Sequence, residues 1–396
     1  MRDRLSYRDE LFRHRRYFHM HPELGLKETN TSAYIREHLG KLGYELTPVF
    51  PTGIIAELKE LKNRKRTVVL RAEMDALPME EQTGLPFASV NPGCMHACGH
   101  DAILAAALTL AGIIAEERES FPVNVRFLFE PAEEIGEGAK RMIAAGAMEH
   151  PVPDGFLMFH YAVDMPFGMA VHEGQASAMI AGISIEIQGK SSHWSEAQKG
   201  IDSIYAGARA IQAVHDLNES YRGEARCLVG IGTAHGGEYG NIIADSMVLT
   251  GNIRACRETD FRNLYRLLEE RLGAVERETG AKISLSLLKE PVLAFANDPV
   301  FTKLAIGVGR EIFGNRFILE GEDELFLAGD NAYRYFQKTR GLFVIFLAGV
   351  PDKPHPLHHP KLVLHEEIFP YSLEALYKLL AGMGDSCRVS ALEEEQ

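Results

Sequence analysis

Between Tyr7 and Met20, the residues Leu11, Phe12, Arg15, Phe18 and His19 recur at helical spacing, and Pro22 stops the run. A second helical pattern covers Thr31–Leu42 and is closed by Gly43. Thr67–Arg71 (TVVLR), Val123–Phe129 and Gly155–Phe159 are short, almost uninterrupted apolar runs, the pattern of strands buried on both faces. Helical patterns separate them, which predicts an α/β fold with a mainly parallel sheet. The apolar stretch Ala102–Ala115 is shorter than the roughly 18–20 residues that span a bilayer, so it reads as a buried helix.

The pattern changes near Ala178. Met179–Gln188 alternates apolar and polar positions, as do Met247–Ile253 and Ile283–Leu287. Helical patterns lie over Ile201–Tyr221 and from about Glu258 to Thr279. These elements predict a small α+β sandwich, covered by helices on one face. After Pro291 the buried type returns, with Phe343–Leu347 (FVIFL) as a strand and Glu366–Leu380 as a helix. The expected organisation is an α/β domain over 1–177 and 293–396, interrupted by an inserted domain over 178–292. The acidic end, Glu393–Gln396, reads as a frayed tail.

Length agrees with such a division, since 396 residues exceed one compact core. The chain carries 42 Lys+Arg against 55 Asp+Glu, a formal net charge of -13. That balance argues against a nucleic-acid partner, and an anionic substrate would need a local cation. The five cysteines are an odd, sparse set rather than a disulfide framework, which favours a reducing compartment. The opening MRDRLSYRDELFRHRRYFHMH has no apolar signal core. A cytoplasmic protein with no membrane partner is expected.

No HExxH, GxSxG, P-loop or GxGxxG occurs, which disfavours a serine hydrolase or a nucleotide enzyme. Instead, His, Cys and acidic residues follow the buried strands. Thr67–Arg71 runs into Glu73-Met74-Asp75, and Val123–Phe129 into Glu130-Pro131-Ala132-Glu133-Glu134. Gly155–Phe159 ends in His160, and Phe343–Leu347 precedes a loop with His355, His358 and His359. Met95-His96-Ala97-Cys98-Gly99-His100-Asp101 precedes the buried helix. In open α/β sheets, sites form beyond the carboxyl ends of the strands, so these residues can converge in one crevice. Thiolate, imidazole and carboxylate together suit zinc or a similar divalent ion. Local sequence leaves blander readings open. Glu133-Glu134 also fits a solvated helix start, and Cys98 and His100 fit a buried thiol beside a capping residue. Cys94, Cys227, Cys256 and Cys387 read as ordinary thiols.

In these motifs the chain resembles the M20 metallopeptidase/amidohydrolase family, in its aminoacylase-like branch (the M20D group, with N-acyl-amino-acid amidohydrolases, indole-acetyl-amino-acid hydrolases and hippurate hydrolases). The resemblance runs in order through His19-Met20-His21-Pro22-Glu23 with Glu28 and Thr31, RAEMDALP (Arg71–Pro78) and MHACGHD (Met95–Asp101). It continues through Phe129–Glu134 with Gly138-Ala139, His160, Gly189–His193 and Asn241–Ile243. It implies a discontinuous, zinc-peptidase-like catalytic domain with an inserted lid through which two copies form a homodimer. It implies a divalent metal site, with two ions per subunit, zinc first and manganese or cobalt as alternatives. The implied ligands are Cys98, His100, Glu134, His160 and His358, with His359 as the alternative for the last. It makes Glu133 the general base and acid, and His193 an oxyanion-stabilising residue reaching a neighbouring subunit's site. Asn241 and Arg254 resemble substrate-contacting lid positions.

The chain departs from the branch at Glu73, where Asp is more common, and at Ile103, where many members have His. Pro360–Glu366 and Gly329-Asp330-Asn331 match loosely. These differences bear on substrate preference more than on the chemistry. Without the resemblance, His193 in SSHWSE also reads as a surface-loop residue and Arg254 as a strand charge.

Amide hydrolysis needs an activated water and a proton carrier. A bound divalent cation lowers the pKa of water from about 15.7 to about 7. A carboxylate that does not bind metal then carries the proton to the leaving amine. Glu133 and Glu134 suit that division, with Asp75 orienting a ligand from behind. His193 would donate to the oxyanion, and Arg254 would pair with the substrate carboxylate. The expected function is metal-dependent hydrolysis of N-acyl amino acids. The alternatives are a dipeptidase or carboxypeptidase of the same family and a catalytically silent metal-binding interaction protein.

Overall fold

The computed structural model describes residues 4–62, 64–321 and 327–393. Residues 394–396 of the expected tail and the side chain of Cys387 lie outside the described residues. The chain divides into two compact units: Met1–Gly174 with Ala296–Gly321 and Asn331–Gln396, and Gln175–Phe295 with Glu322–Asp330.

The larger unit opens with helices α1 (Arg8–Met20) and α2 (Thr29–Leu42). In α1 the buried side chains are Leu11, His14, Arg15, Phe18 and His19, one stripe at three- and four-residue spacing. Gly43 ends α2 with a left-handed φ of 87°, a conformation that glycine adopts without a Cβ clash. Strands β1 (Tyr44–Val49), β2 (Gly53–Leu58) and β3 (Thr67–Glu73) follow, then helix α3 (His100–Glu116). The unit continues with β4 (Asn124–Glu130), the short helix α4 (Gly138–Ala144), β5 (Gly155–Ala162) and β6 (Gly168–His172).

The chain then enters the smaller unit, with β7 (Met179–Gln188), β8 (Ser192–His193), α5 (Ser203–Ser220), β9 (Cys227–Gly236), β10 (Ile242–Ile243), β11 (Ser246–Ala255), α6 (Glu258–Thr279) and β12 (Lys282–Leu287). The larger unit resumes with α7 (Pro299–Phe313), β13 (Phe317–Glu320), α8 (Tyr333–Phe336), β14 (Gly341–Leu347) and α9 (Ile368–Glu393).

Eight strands of the larger unit form one sheet in the order β1-β2-β4-β3-β5-β14-β6-β13. Its centre, β4-β3-β5-β14, is parallel throughout; the β1-β2, β2-β4 and β6-β14 pairings are antiparallel. Parallel strands in the middle of a sheet are covered on both faces, and every residue of β3 and β4 is buried. The same burial explains the apolar runs in the sequence. Helix α3 is apolar all round because it is interior: every side chain from His100 to Ala111 is buried. Four parallel strands also send their carboxyl ends to one edge of the sheet, where β3, β4 and β14 hand over to the loops that carry the expected ligands.

The smaller unit holds an antiparallel sheet, β12-β7-β11-β9, and the two-stranded piece β10-β8. Its core joins Ile183, Ile185, Ile187 and Leu249 to the inner faces of α5 and α6 through Ala206, Val214, Leu264 and Leu268. Asp202 caps α5 by accepting from the Ile204 and Tyr205 amides. This is the mixed α/β architecture expected from the sequence, with a mainly parallel large sheet and a second antiparallel one. No helix among the described residues is long and apolar enough to cross a membrane.

Several elements differ from the expected pattern. Helix α3 starts at His100 rather than Ala102, and β5 extends through His160. The hairpin β1-β2 and strand β9 were not expected. Strand β9 (CLVGIGTAHG) is glycine-rich and exposed over most of its length, so it shows neither alternation nor an apolar run.

Candidate metal centre

The donors expected from the sequence come from four places in the larger unit. Cys98 and His100 lie just before and at the start of α3, with Gly99 between them, whose φ of 85° lets the chain turn tightly there. Glu133 and Glu134 follow β4, His160 lies in β5, and His358 sits in the loop after β14. Three groups have ligand atoms within 4.8 Å of one another: Cys98, His100 and His160; Cys98, Glu134 and His358; and His100, Glu133 and Glu134. Cys98 is shared by two of these groups, as are His100 and Glu134. The three groups therefore form one contiguous cluster of donors.

Individual distances fill in the picture. The Cys98 Sγ lies 3.5 Å from His160 Nε2 and 3.3 Å from His358 Nε2. His358 Nε2 also lies 3.5 Å from Glu134 Oε2. Glu133 Oε2 is 4.0 Å from His100 Nε2. His100 Nδ1 donates to the Asp75 carbonyl at 2.9 Å, and His160 Nδ1 to the Tyr161 carbonyl at 2.9 Å. Each Nδ1 is taken up by a carbonyl, so Nε2 is the ring nitrogen left to face the cluster. His358 has a left-handed φ of 62°, and its amide donates to the Ala97 carbonyl at 2.7 Å. His359 turns elsewhere: its Nδ1 accepts from the Lys361 amide, and its ring stacks on His355.

The donor chemistry fits a divalent cation. Glu134 Oε1 is buried without a hydrogen-bond partner, a costly state for a carboxylate oxygen unless a cation meets it, and Asp75 Oδ1 has the His100 ring 3.7 Å away. Burial pushes the Cys98 thiol up to about 12, so without a cation it stays protonated. Burial opposes charge on His100, yet Cys98, Asp75 and Glu73 raise it well above its ordinary value. Asp75 is fully buried. Burial raises its carboxyl, but the hydrogen bond and charge of His100 and the Glu134 and Glu133 amides bring it below the ordinary carboxylate value.

Residues with no expected role support the cluster from behind. Asp101, beside His100, accepts from Arg15 Nε at 3.1 Å and pairs with His19 Nδ1 at 2.8 Å. Burial resists its charge, but Arg15 and His19 hold it well below the usual range. His96 is buried with neither ring nitrogen hydrogen-bonded, and burial pushes it down to about 3. Arg71, fully buried, spans the carboxyl ends of β3 and β4 through Glu73 and Glu130 and reaches Asn331 at 2.9 Å. In the sequence, His96 and Arg71 are simply parts of longer motifs, and nothing local marks their burial.

The smaller unit holds the remaining expected residues. His193 is exposed, and its Nδ1 accepts from the Ser195 amide; with Nδ1 occupied, Nε2 carries the proton and is a donor toward solvent. Ile242 pairs with His193 across β10-β8, and the Trp194 amide donates to the Asn241 carbonyl, which brings Asn241 and His193 together. Arg254 is placed apart from them. It lies eight residues along β11 from Ser246, about 26 Å of strand, and donates to the Leu327 carbonyl at 2.8 Å. Trp194, half exposed, sits beside His193.

Residues 69–382 match the family model described as Peptidase family M20/M25/M40. The chain therefore belongs to that family. It is 29% identical over 388 residues to the N-acetyl-L-cysteine deacetylase of Bacillus subtilis, covering 96% of this chain and 89% of that protein. It is 30% identical over 375 residues to the N-acetyldiaminopimelate deacetylase of Listeria monocytogenes, covering 92% of this chain and 97% of that protein. Among solved structures, the Bacillus subtilis YXEP protein, described as a dinuclear metal binding peptidase from the M20 family, superimposes with a TM-score of 0.82 at 27% identity. That match covers 96% of this chain and 99% of the other.

Proposed function

We propose that this chain is a metal-dependent hydrolase that cleaves the amide bond of N-acylated amino acids. The observation that carries the proposal is the convergence of Cys98, His100, Glu133, Glu134, His160 and His358, with Glu134 Oε1 buried and unpartnered. The deacetylase names of the relatives supply the substrate class.

Cys98, His100, Glu134, His160 and His358 would hold the cations, two per chain, with zinc first and manganese or cobalt as alternatives. When bound, divalent cations supply Lewis acidity that polarises the amide carbonyl and makes water a competent nucleophile near neutral pH. Glu133 takes the proton from water and returns it to the leaving amine, which an amide requires because a free amide anion is too basic to depart. Asp75 holds the His100 side of the cluster and the Glu134 amide in register. His193 donates from Nε2 to the developing oxyanion, and Asn241 beside it contacts the substrate. We assign His193 to the site of a second copy, in a homodimer formed through the inserted segment 178–292 of the smaller unit, acting as a lid. Arg254 pairs with the substrate carboxylate. The proposed location is the cytoplasm.

A dipeptidase or carboxypeptidase activity is the second reading, favoured by the peptidase description of the YXEP structure. One panel separates the two: N-acetyl and N-benzoyl amino acids against dipeptides, each assayed with zinc, manganese and cobalt. Turnover of the acylated amino acids supports the proposal. Exclusive turnover of dipeptides transfers the site to the second reading, and no turnover of either refutes both.

A further inference from the structure

We infer that Glu28 is a positioning residue, whose buried carboxylate fixes the backbone at Ala132 and so aims Glu133 and Glu134 at the metal centre. The inference rests on the proposed roles of those two glutamates.

Glu28 occupies the N-cap position of α2, where a carboxylate ordinarily accepts from the first amides of its helix. Its side chain makes no such bond. Glu23 does that work instead, accepting from the Asn30 amide at 3.1 Å and the Thr31 amide at 2.8 Å. Glu28 is thereby released to reach into the larger unit's interior. One oxygen accepts from the Ala132 amide at 2.8 Å and the other from the Thr52 hydroxyl at 2.6 Å. Glu28 is fully buried, and among the described residues no basic side chain pairs with it. Burial raises its carboxyl above the ordinary value, while the Thr52 and Ala132 bonds act in the opposite direction. A carboxylate desolvated without a cation is a poor stabiliser of a fold. Its placement calls for a reason other than stability.

That reason lies in the residue it holds. Ala132 has a φ of 56°, the left-handed region that a residue with a Cβ disfavours. It is fully buried, so its amide has no water to turn to. This kink separates strand β4 from the paired glutamates. Beyond it, Asp75 takes the Glu134 amide at 3.0 Å, and the Glu133 amide also bonds to Asp75. The Ala132 carbonyl accepts from the Glu137 amide at 3.0 Å, which closes the turn. The loop before Glu28 packs on both anchors: a Cβ at Gly25 would stand 3.1 Å from Ala132 Cα and 3.2 Å from Asp75 Oδ2. Two buried carboxylates thus grip the Ala132–Glu134 backbone, Glu28 at the kink and Asp75 past it. With the kink held, Glu134 reaches Cys98 and His358 while Glu133 stays near His100. If Ala132 relaxed to the right-handed region, both glutamates would swing away together.

The test uses the full-length protein and four variants. Glu28→Gln keeps an acceptor for Ala132 and a partner for Thr52; Glu28→Met keeps the volume and removes both. Amide exchange at Ala132 reads the clamp without reference to activity, and chelator competition reads cation affinity. In Glu28→Met the Ala132 amide is expected to exchange faster. Cation affinity or kcat should fall by about 10–100-fold, with KM for an N-acetyl amino acid little changed. Glu28→Gln should restore wild-type exchange and most of kcat. Adding Ala132→Gly to Glu28→Met should recover part of the loss, because glycine adopts the left-handed φ unaided. If Glu28→Met does not fold, Thr52→Val replaces it, with a smaller loss of the same kind expected. A folded Glu28→Met (or, in its place, Thr52→Val) with wild-type exchange, affinity and kcat overturns the inference, as does a Glu28→Gln as impaired as Glu28→Met. A wild-type protein that cleaves no acylated amino acid defeats the proposed function instead, and the exchange result still decides the clamp.

Discussion

His358 Nε2 stands 3.3 Å from Cys98 Sγ, although 260 residues separate them in the chain. The contact joins the loop after the last central strand to the start of a buried helix. Burial pushes the Cys98 thiol up to about 12, so if Cys98 is a ligand, as proposed, cation binding expels its proton. Adding zinc to the metal-free protein near pH 7 should therefore release a proton from Cys98, and affinity should rise with pH by about tenfold per unit for that proton. An indicator dye in weakly buffered solution measures the release. Cys98→Ser should abolish this component and lower cation content by elemental analysis; unchanged content would remove Cys98 from the ligand set.

Glu133→Gln keeps the shape of the side chain and removes its basicity. It should bind cations and substrate as the wild type does, with kcat reduced by about 10²–10⁴-fold. Since His193 is assigned to a neighbouring copy, inactive Glu133→Gln and His193→Ala chains should regain activity when mixed and allowed to exchange subunits. Exchanged dimers that stay inactive would return His193 to its own chain or to the surface.

His96 predicts an acid-linked loss of stability. Its folded value, about 3, lies below the 6.5 of an ordinary imidazole because burial disfavours the charged ring. The unfolded chain therefore binds the proton first, so this contribution is complete above pH 6.5 and declines as pH falls from there toward 3. Between pH 6.5 and 5 the decline is about 2 kcal/mol, at ~1.4 kcal/mol per unit. Urea denaturation of the metal-free protein at pH 7 and pH 5 measures it. His96→Leu should flatten the pH dependence by about that amount, and an equal slope in both proteins would contradict the buried neutral ring.

Arg71 bonds Glu73, Glu130 and Asn331 in the interior, and Tyr335 donates to the same Glu130 at 2.7 Å. Removing the cation leaves carboxylates buried without it. Arg71→Met should cost about 3–5 kcal/mol by chemical denaturation. A loss under 1 kcal/mol would show that neighbouring groups or water already balance Glu73 and Glu130.

The sequence exposed the residues that break a pattern. Glu133, Glu134 and His160 are legible because they lie just past apolar runs, where a charged or imidazole group needs a reason. Cys98 and His100 stood out beside a helix too apolar to be anything but interior. The supports were hidden for physical reasons. Glu28 meets Ala132 across 104 residues, and a left-handed alanine is spelled like any other alanine. His96 has no partner to pattern with. The separation of Arg254 from His193 follows from strand length and register, which residue types alone do not reveal. Strand β9 carries no sequence signature because glycines and exposure erase both alternation and the apolar run.

The most direct test of the account is a cation titration of the chelator-stripped protein, followed by hydrolysis of an N-acetyl amino acid. The account predicts no turnover without cation and turnover that rises with zinc, manganese or cobalt to a plateau at two cations per chain. Full activity in the stripped protein, or none with any of the three cations, would contradict it.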